Sequence, residues 1–199
     1  MKHFLLVTVL LGLAVCLPGC PAAPQPLGTG PLTGLEHPSL HIMVLEKDTP
    51  PVAGSFGWGY ALLKVPPSAQ TSLSAIDERL HSAMRAEFTR KGLVFSESEP
   101  DILVSYAVAA AGEISAEELN RTYGDLIDPA LFEMKTDLQY KRGVLVLDVV
   151  DRRSEHLLWR GAIMAELDTG LPEERKQQRC SDAVQALLRY YPRPDARVK

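Results

Sequence analysis

An α+β fold is predicted: two layers, with a mostly antiparallel sheet of about four to five strands and two main helices packed on one face. Two segments, Ile76 to Phe88 and Cys180 to Tyr191, repeat apolar residues at helical spacing. Runs starting at Leu40, Phe56, Ile102, Val144 and Leu157 are β-prone and bounded by turn residues. The chain has 199 residues, 46% hydrophobic and 23% charged, a globular composition long enough for one domain with a tail. Its formal charge of −4 argues against nucleic acid as a partner, because phosphates demand a basic face.

The first residues read as an address. Met1-Lys2-His3 is basic, and the apolar run Phe4 to Leu17 is interrupted only by Thr8. That run is shorter than the roughly 20 residues a membrane-spanning helix needs, and with small residues after it the pattern is that of a secretory signal peptide, residues 1–19. Leu17-Pro18-Gly19-Cys20 resembles a bacterial lipobox. The resemblance implies cleavage between Gly19 and Cys20, a diacylglyceryl group on the Cys20 thiol and an acyl chain such as palmitate on its amine. Two or three chains make a stable anchor where one is marginal. Cys16 follows bulky Val15 and fits less well. By the same sorting pattern, Pro21 rather than Asp after Cys20 implies the outer membrane, with the domain facing the periplasm.

Removal of residues 1–19 takes away Lys2 and leaves 20 basic against 25 acidic residues, a net charge of −5. Cys20 then carries lipid and Cys180 is alone, so no intramolecular disulfide is expected despite an oxidising compartment. Residues 20–39 hold five prolines, and Glu36 is the only fixed charge, a composition that reads as an extended tether reaching at most roughly 60 Å. His37 and His41 have a metal-ligand spacing only on a helix, which Pro38 opposes, so no metal is expected.

The domain spans 40–192. Leu40 to Glu46 forms a strand, and Asp48-Thr49-Pro50-Pro51 turns it. Phe56, Trp58, Tyr60 and Leu62 alternate with Gly57, Gly59 and Ala61, a large face and a small one; the small face would let a helix pack closely. The helix over Ile76, Leu80, Ala83, Met84 and Phe88 takes Ser74 as its cap, Asp77 and Glu78 at its positive end, and Gly92 as its stop. Ile102, Val104, Tyr106 and Val108 share one face of the next strand. Ser115 with Glu118 resembles a capping box before a short helix, Ala116 to Tyr123, and Asp128-Pro129 starts another helical turn. Asn120-Arg121-Thr122 matches a glycosylation acceptor only formally. Val144 to Val150 is apolar on both faces apart from Asp148, hence central. Asp151 to His156 turns the chain into Leu157 to Leu167. The last helix opens at Pro172-Glu173-Glu174 and carries Cys180, a buried thiol acting as a small apolar residue, then Ala183, Val184, Leu187 and Leu188. Residues 193–199 form a basic tail that frays.

Phe56-Gly57-Trp58, Lys91-Gly92, Pro100-Asp101-Ile102-Leu103-Val104-Ser105-Tyr106, Gly143 to Asp151, Leu158-Trp159-Arg160-Gly161 and Tyr191-Pro192 together resemble a bacterial lipoprotein family, domain of unknown function 4136. That resemblance implies a small α/β envelope lipoprotein and no established activity, catalytic residue or cofactor. The segment 110–135 looks like an elaboration on it.

Asp148 and Arg160 are the candidate structural ion pair. A five-residue hairpin loop places Asp148 opposite Arg160 and a four-residue loop places it opposite Trp159; the first, which fixes register, is the expectation. The leading function is a lipid-anchored, non-enzymatic binding or scaffold module with an envelope protein or polymer as partner, and the strand Leu40 to Glu46 could recruit that partner. Two alternatives stand beside it. One is an envelope hydrolase using paired carboxylates, Asp148 with Asp151 or the glutamates Glu113, Glu117 and Glu118. The other is a small-molecule or lipid carrier with a cavity between sheet and helices.

Overall fold

The computed structural model describes residues 41–46, 53–67, 73–133, 141–167 and 170–192. The elements are β1 (His41–Glu46), β2 (Ser55–Lys64), α1 (Leu73–Arg90), β3 (Val94–Phe95), β4 (Ile102–Ala110), α2 (Ala116–Tyr123), α3 (Pro129–Phe132), β5 (Lys141–Asp151), β6 (Leu157–Leu167) and α4 (Glu173–Leu188). They build an α+β domain around one six-stranded sheet ordered β1-β6-β5-β4-β2-β3.

The sheet has six strands and is mixed, with antiparallel pairing in the majority as expected. β1/β6, β6/β5 and β5/β4 pair antiparallel, whereas β2 pairs parallel with both β4 and β3. The cause is α1, which carries the chain back along the sheet so that the next strands start at the same end as β2. β3 has two residues, too few for a periodicity to show in the sequence.

Two corrections follow from burial. Helices cover both faces, giving three layers rather than two. The even-numbered residues Ile102, Val104 and Tyr106 of β4 join Leu145, Leu147, Val149, Trp159 and Ile163 in a core against α1 and α4. Odd-numbered Ala107 and Ala109 join Val144, Val146, Ala162 and Met164 against Leu119, Tyr123 and Phe132 of α2 and α3. The described part of that elaboration, residues 110–133, is therefore the second face's cover. The alternation of β2 also breaks: a bulge between Trp58 and Ala61 shifts Leu62 to the second core and Leu63 to the first, and Tyr60 is left exposed. Among the described residues, strand and loop atoms rather than a helix lie nearest Gly57 and Gly59. A Cβ at Gly57 would meet Pro100 at 2.7 Å, and one at Gly59 would meet Ser105 Oγ at 2.3 Å.

α1 starts at Leu73, so Ser74 lies inside it instead of capping it. It ends as Gly92 allows: with φ at +92°, Gly92 N–H reaches the Thr89 carbonyl and Leu93 N–H the Phe88 carbonyl, a Schellman closure with Phe88 and Leu93 both buried. α2 and α3 are short and depend on their caps. Ser115 Oγ accepts from Glu118 N–H, and Asp128 Oδ1 accepts from Ala130 and Leu131 N–H. α1 and α4 lie side by side over the first core, tied at one end by Arg79–Glu173 at 2.5 Å and at the other by Lys91 Nζ donating to the Tyr191 carbonyl.

Candidate functional site

The hairpin from β5 to β6 fixes the first polar group. Asp148 stands opposite Arg160 in the register. Arg160 Nε reaches Asp148 Oδ1 at 2.6 Å and Nη2 reaches Oδ2 at 2.5 Å, a two-point contact of the kind a guanidinium fork is shaped for. Both side chains are 14% exposed. The third donor, Nη1, goes to the Tyr123 carbonyl at 2.7 Å, and the guanidinium lies 5.1 Å from the Tyr123 ring centroid. The pair thus fastens the C-terminus of α2 to the sheet, where a cation also suits the helix dipole. Burial, and then the Asp148 charge, push the Tyr123 phenol above its ordinary range.

The other aspartates serve backbone. Asp101 Oδ2 accepts from Gly54 N–H, Ser55 N–H and Ser55 Oγ, each at 2.9 Å, and Asp101 N–H donates back to Ser55 Oγ. This joins the starts of β2 and β4, and these hydrogen bonds hold the Asp101 carboxyl below its usual range. Asp151 Oδ1 accepts from Arg153 N–H, Ser154 N–H and Ser154 Oγ, shaping the hairpin loop; Ser154 is the main cause of its lowered pKa. Asp148 and Asp151 are three positions apart on β5, which puts them on opposite faces, and each is engaged locally, so they do not converge. Glu117 and Glu118 are exposed on the first turn of α2.

A third polar group lies outside the site residues expected from the sequence. On α1, Asp77 and His81 are one turn apart, with Asp77 Oδ2 3.5 Å from His81 Nδ1. The Tyr106 hydroxyl of β4 donates to Asp77 Oδ1 and lies 3.3 Å from His81 Nε2. Trp58 stacks on the His81 ring at 4.1 Å and 18°, and Arg85 lies over Phe95 beside it. Burial, then the hydrogen bond and charge of Asp77, raise the Tyr106 pKa. The phenol is therefore held as a donor, not as an anionic nucleophile. The signal in the sequence is the i, i+4 spacing of Asp77 and His81; because α1 starts at Leu73, Asp77 and Glu78 lie beyond its first turn rather than at its positive end, and Asp77 serves this cluster instead.

The two ends of the sheet differ. β3 is two residues long and runs into Glu97, Glu99 and Pro100, features that discourage strand addition. β1 pairs with β6 through six consecutive residues without a bulge, and its other side has no strand partner among the described residues. Ile42 and Val44 pack on the first core yet are only half-buried, and Met43, on the opposite side of β1, is 38% exposed.

Gly19, Cys20, the tether with His37, and the tail 193–199 lie outside the described residues. Among the described residues no cluster of three His, Cys, Asp or Glu could hold a metal ion, and no helix is long and apolar enough to cross a membrane. Burial pushes the Cys180 thiol up to about 11, which leaves it protonated and unreactive near neutral pH.

A family model described as domain of unknown function (DUF4136) matches residues 56–193. Among solved structures, a PelC dodecamer from Paraburkholderia phytofirmans is similar with a TM-score of 0.46 and 6% identity, over 75% of this chain and 95% of that one. A PDZ domain protein from Parabacteroides distasonis gives 0.45 and 12% identity, over 77% of this chain and 36% of that one. No curated protein matches the chain.

Proposed function

This chain belongs to the DUF4136 family, and from that premise we propose that it is a lipid-anchored bacterial envelope protein whose domain acts as a non-enzymatic binding module. The observation that carries the anchor is Leu17-Pro18-Gly19-Cys20 followed by a tether rich in proline: an acylation box, then a stretch that cannot bury a core, then the domain. Pro21 directs the anchor to the outer membrane, on the periplasmic side.

The non-enzymatic half rests on how the polar groups are spent. Asp148 is neutralised by Arg160, Asp101 and Asp151 accept from backbone, and the Tyr106 phenol is held protonated by burial and Asp77. What the domain offers a partner is the regular outer edge of β1, which directly follows the tether and can accept a strand.

Fractionation tests the anchor. The wild type is expected in the membrane pellet with incorporated labelled palmitate, and Cys20→Ser in the soluble fraction without it. Membrane retention and labelling of the Ser variant would refute the anchor.

A further inference from the structure

We infer that the outer edge of β1 pairs antiparallel with β1 of a second copy of this chain, across a twofold axis at Met43. The inference rests on the binding reading above and names its partner.

Edge strands in native proteins are kept from pairing by charges, prolines, bulges or shortness. The β3 end of this sheet uses shortness, two nearby glutamates and a proline, and the exposed half of β2 is bent by its bulge. β1 is less protected along its length: from Ile42 to Leu45 it has no charge, proline or glycine, its charges and prolines (Pro38, Glu46, Lys47, Asp48) falling only at or beyond its ends, and its register is unbroken. It also carries apolar residues incompletely buried on both sides, Ile42 and Val44 on one and Met43 on the other. A neighbouring strand would complete their burial.

The sequence of the strand selects a copy of itself. A twofold axis relating two antiparallel edge strands stands perpendicular to the sheet, so each face stays continuous and opposed residues share parity. With the axis at Met43, Met43 opposes Met43 and Ile42 opposes Val44, apolar against apolar on both faces, His41 opposes Leu45 at each end, and Glu46 falls beyond the paired run. Shifting the axis to Val44 would set Glu46 opposite Ile42. Shifting it to Ile42 would leave only residues 41–43 to pair. One register is therefore favoured, and it gives a continuous sheet with α1 and α4 of both copies on the same side. Anchoring in one membrane raises the effective concentration of the two copies for each other.

The test uses the full lipidated protein in its own membranes. Met43→Cys places a thiol on the proposed axis, where opposed Cβ atoms are about 5 Å apart, while Cys20 is acylated and Cys180 is mostly buried. Mild oxidation is expected to give a disulfide-linked dimer of Met43→Cys and none of Tyr60→Cys, which is exposed on β2. In detergent the wild type should have the mass of two chains and a thermal midpoint that rises with protein concentration, and Met43→Lys, with like charges on the axis, the mass of one and a cooperative midpoint that does not depend on concentration. A monomeric wild type overturns the inference, whether or not Met43→Cys can be forced to cross-link. In that case a photo-cross-linking residue at Met43 separates the readings. Capture of a different envelope protein leaves the binding module standing without self-pairing, and capture of nothing removes both.

Discussion

Against α1 and α4 the sheet presents Phe56, Tyr106, Leu147 and Trp159, whereas against α2 and α3 it presents Ala107, Ala109, Val146 and Ala162. The first cover is two helices of 18 and 16 residues, long enough to bring apolar stripes of their own. The second is two helices of eight and four residues, too short to be stable alone. Small side chains on the strands let those short helices approach closely, and polar fastenings hold them: two side-chain caps, Asn120 bonded twice to Ile127 backbone, and Arg160 on the Tyr123 carbonyl. One face is held by bulk, the other by hydrogen bonds at its margins.

Removing bulk from the first face should have the largest effect. Trp159 is fully buried, its ring edge-on to Tyr191 at 5.5 Å, and Gly161 is a glycine because a Cβ there would lie 2.5 Å from the Trp159 ring and 2.8 Å from Leu187. Trp159→Ala is expected to cost about 4 kcal/mol, and Phe132→Ala on the second face about 3, the low end of the range for such truncations. Urea unfolding measures both. Hydrogen exchange should separate them: Trp159→Ala weakens protection across all the strands, whereas Phe132→Ala releases mainly residues 116–132. Equal, global loss in both would erase the distinction between the faces.

The next test breaks the fastening instead of the bulk. Arg160→Met leaves Asp148 mostly buried with its charge unmatched and frees the end of α2, at an expected cost of about 3 kcal/mol. The double variant Asp148→Leu with Arg160→Met removes both charges and should recover much of the loss. If it recovers nothing, the bond from Arg160 to Tyr123, and not the ion pair, is what matters.

The first face was legible in the sequence and the second was not, for a physical reason. α1 and α4 repeat their apolar stripe over four or more turns, so spacing alone marks them and their inward side. α2 and α3 have too few turns for a stripe; only Ser115 and Asp128 marked where they begin. That they cover a whole face was nevertheless written elsewhere, in Val144 to Val150. A strand apolar on both sides needs cover on both sides, and placing all helices on one face contradicted that pattern. The parallel pairing of β2 was hidden for another reason, since side-chain alternation is the same in parallel and antiparallel strands. Asp77 and His81 were visible as a helical pair, but their meeting with Tyr106 depends on the packing of α1 across β4, which no local pattern records.

Tyr106→Phe sharpens the comparison from the other side. It removes one hydroxyl hydrogen bond, from the buried Tyr106 to the partly exposed Asp77, and leaves the ring in place. A loss of roughly 1.5 to 2 kcal/mol is expected, the lower scale for a hydrogen bond to a charged group, below that of Arg160→Met. Thermal midpoints of the two variants compare them directly. A Tyr106→Phe loss as large as that of Arg160→Met would mean that the first face also hangs on a polar fastening.

Asp101 gives the smallest expected effect and serves as the control, because the β2–β4 start that it ties belongs to both faces. Its folded-state pKa is lowered, first by the Ser55 hydroxyl and then by Gly54 and Ser55 N–H. A lowered carboxylate stabilises fully above its unfolded value of about 4, and that contribution is lost as pH falls through the folded value. Asp101→Asn keeps the shape and drops the charge, so it should be slightly less stable than the wild type at pH 7. As the wild type's carboxylate protonates below about pH 4, the gap between the two should narrow. Asp151, lowered by Ser154 in the same direction, should behave alike. Urea midpoints between about pH 7 and pH 2 test the point. A gap that persists at the acid end would mean that the contact works through shape and not charge. A gap that appears in the exchange of only one face would mean that the two covers do not share the sheet as one cooperative unit.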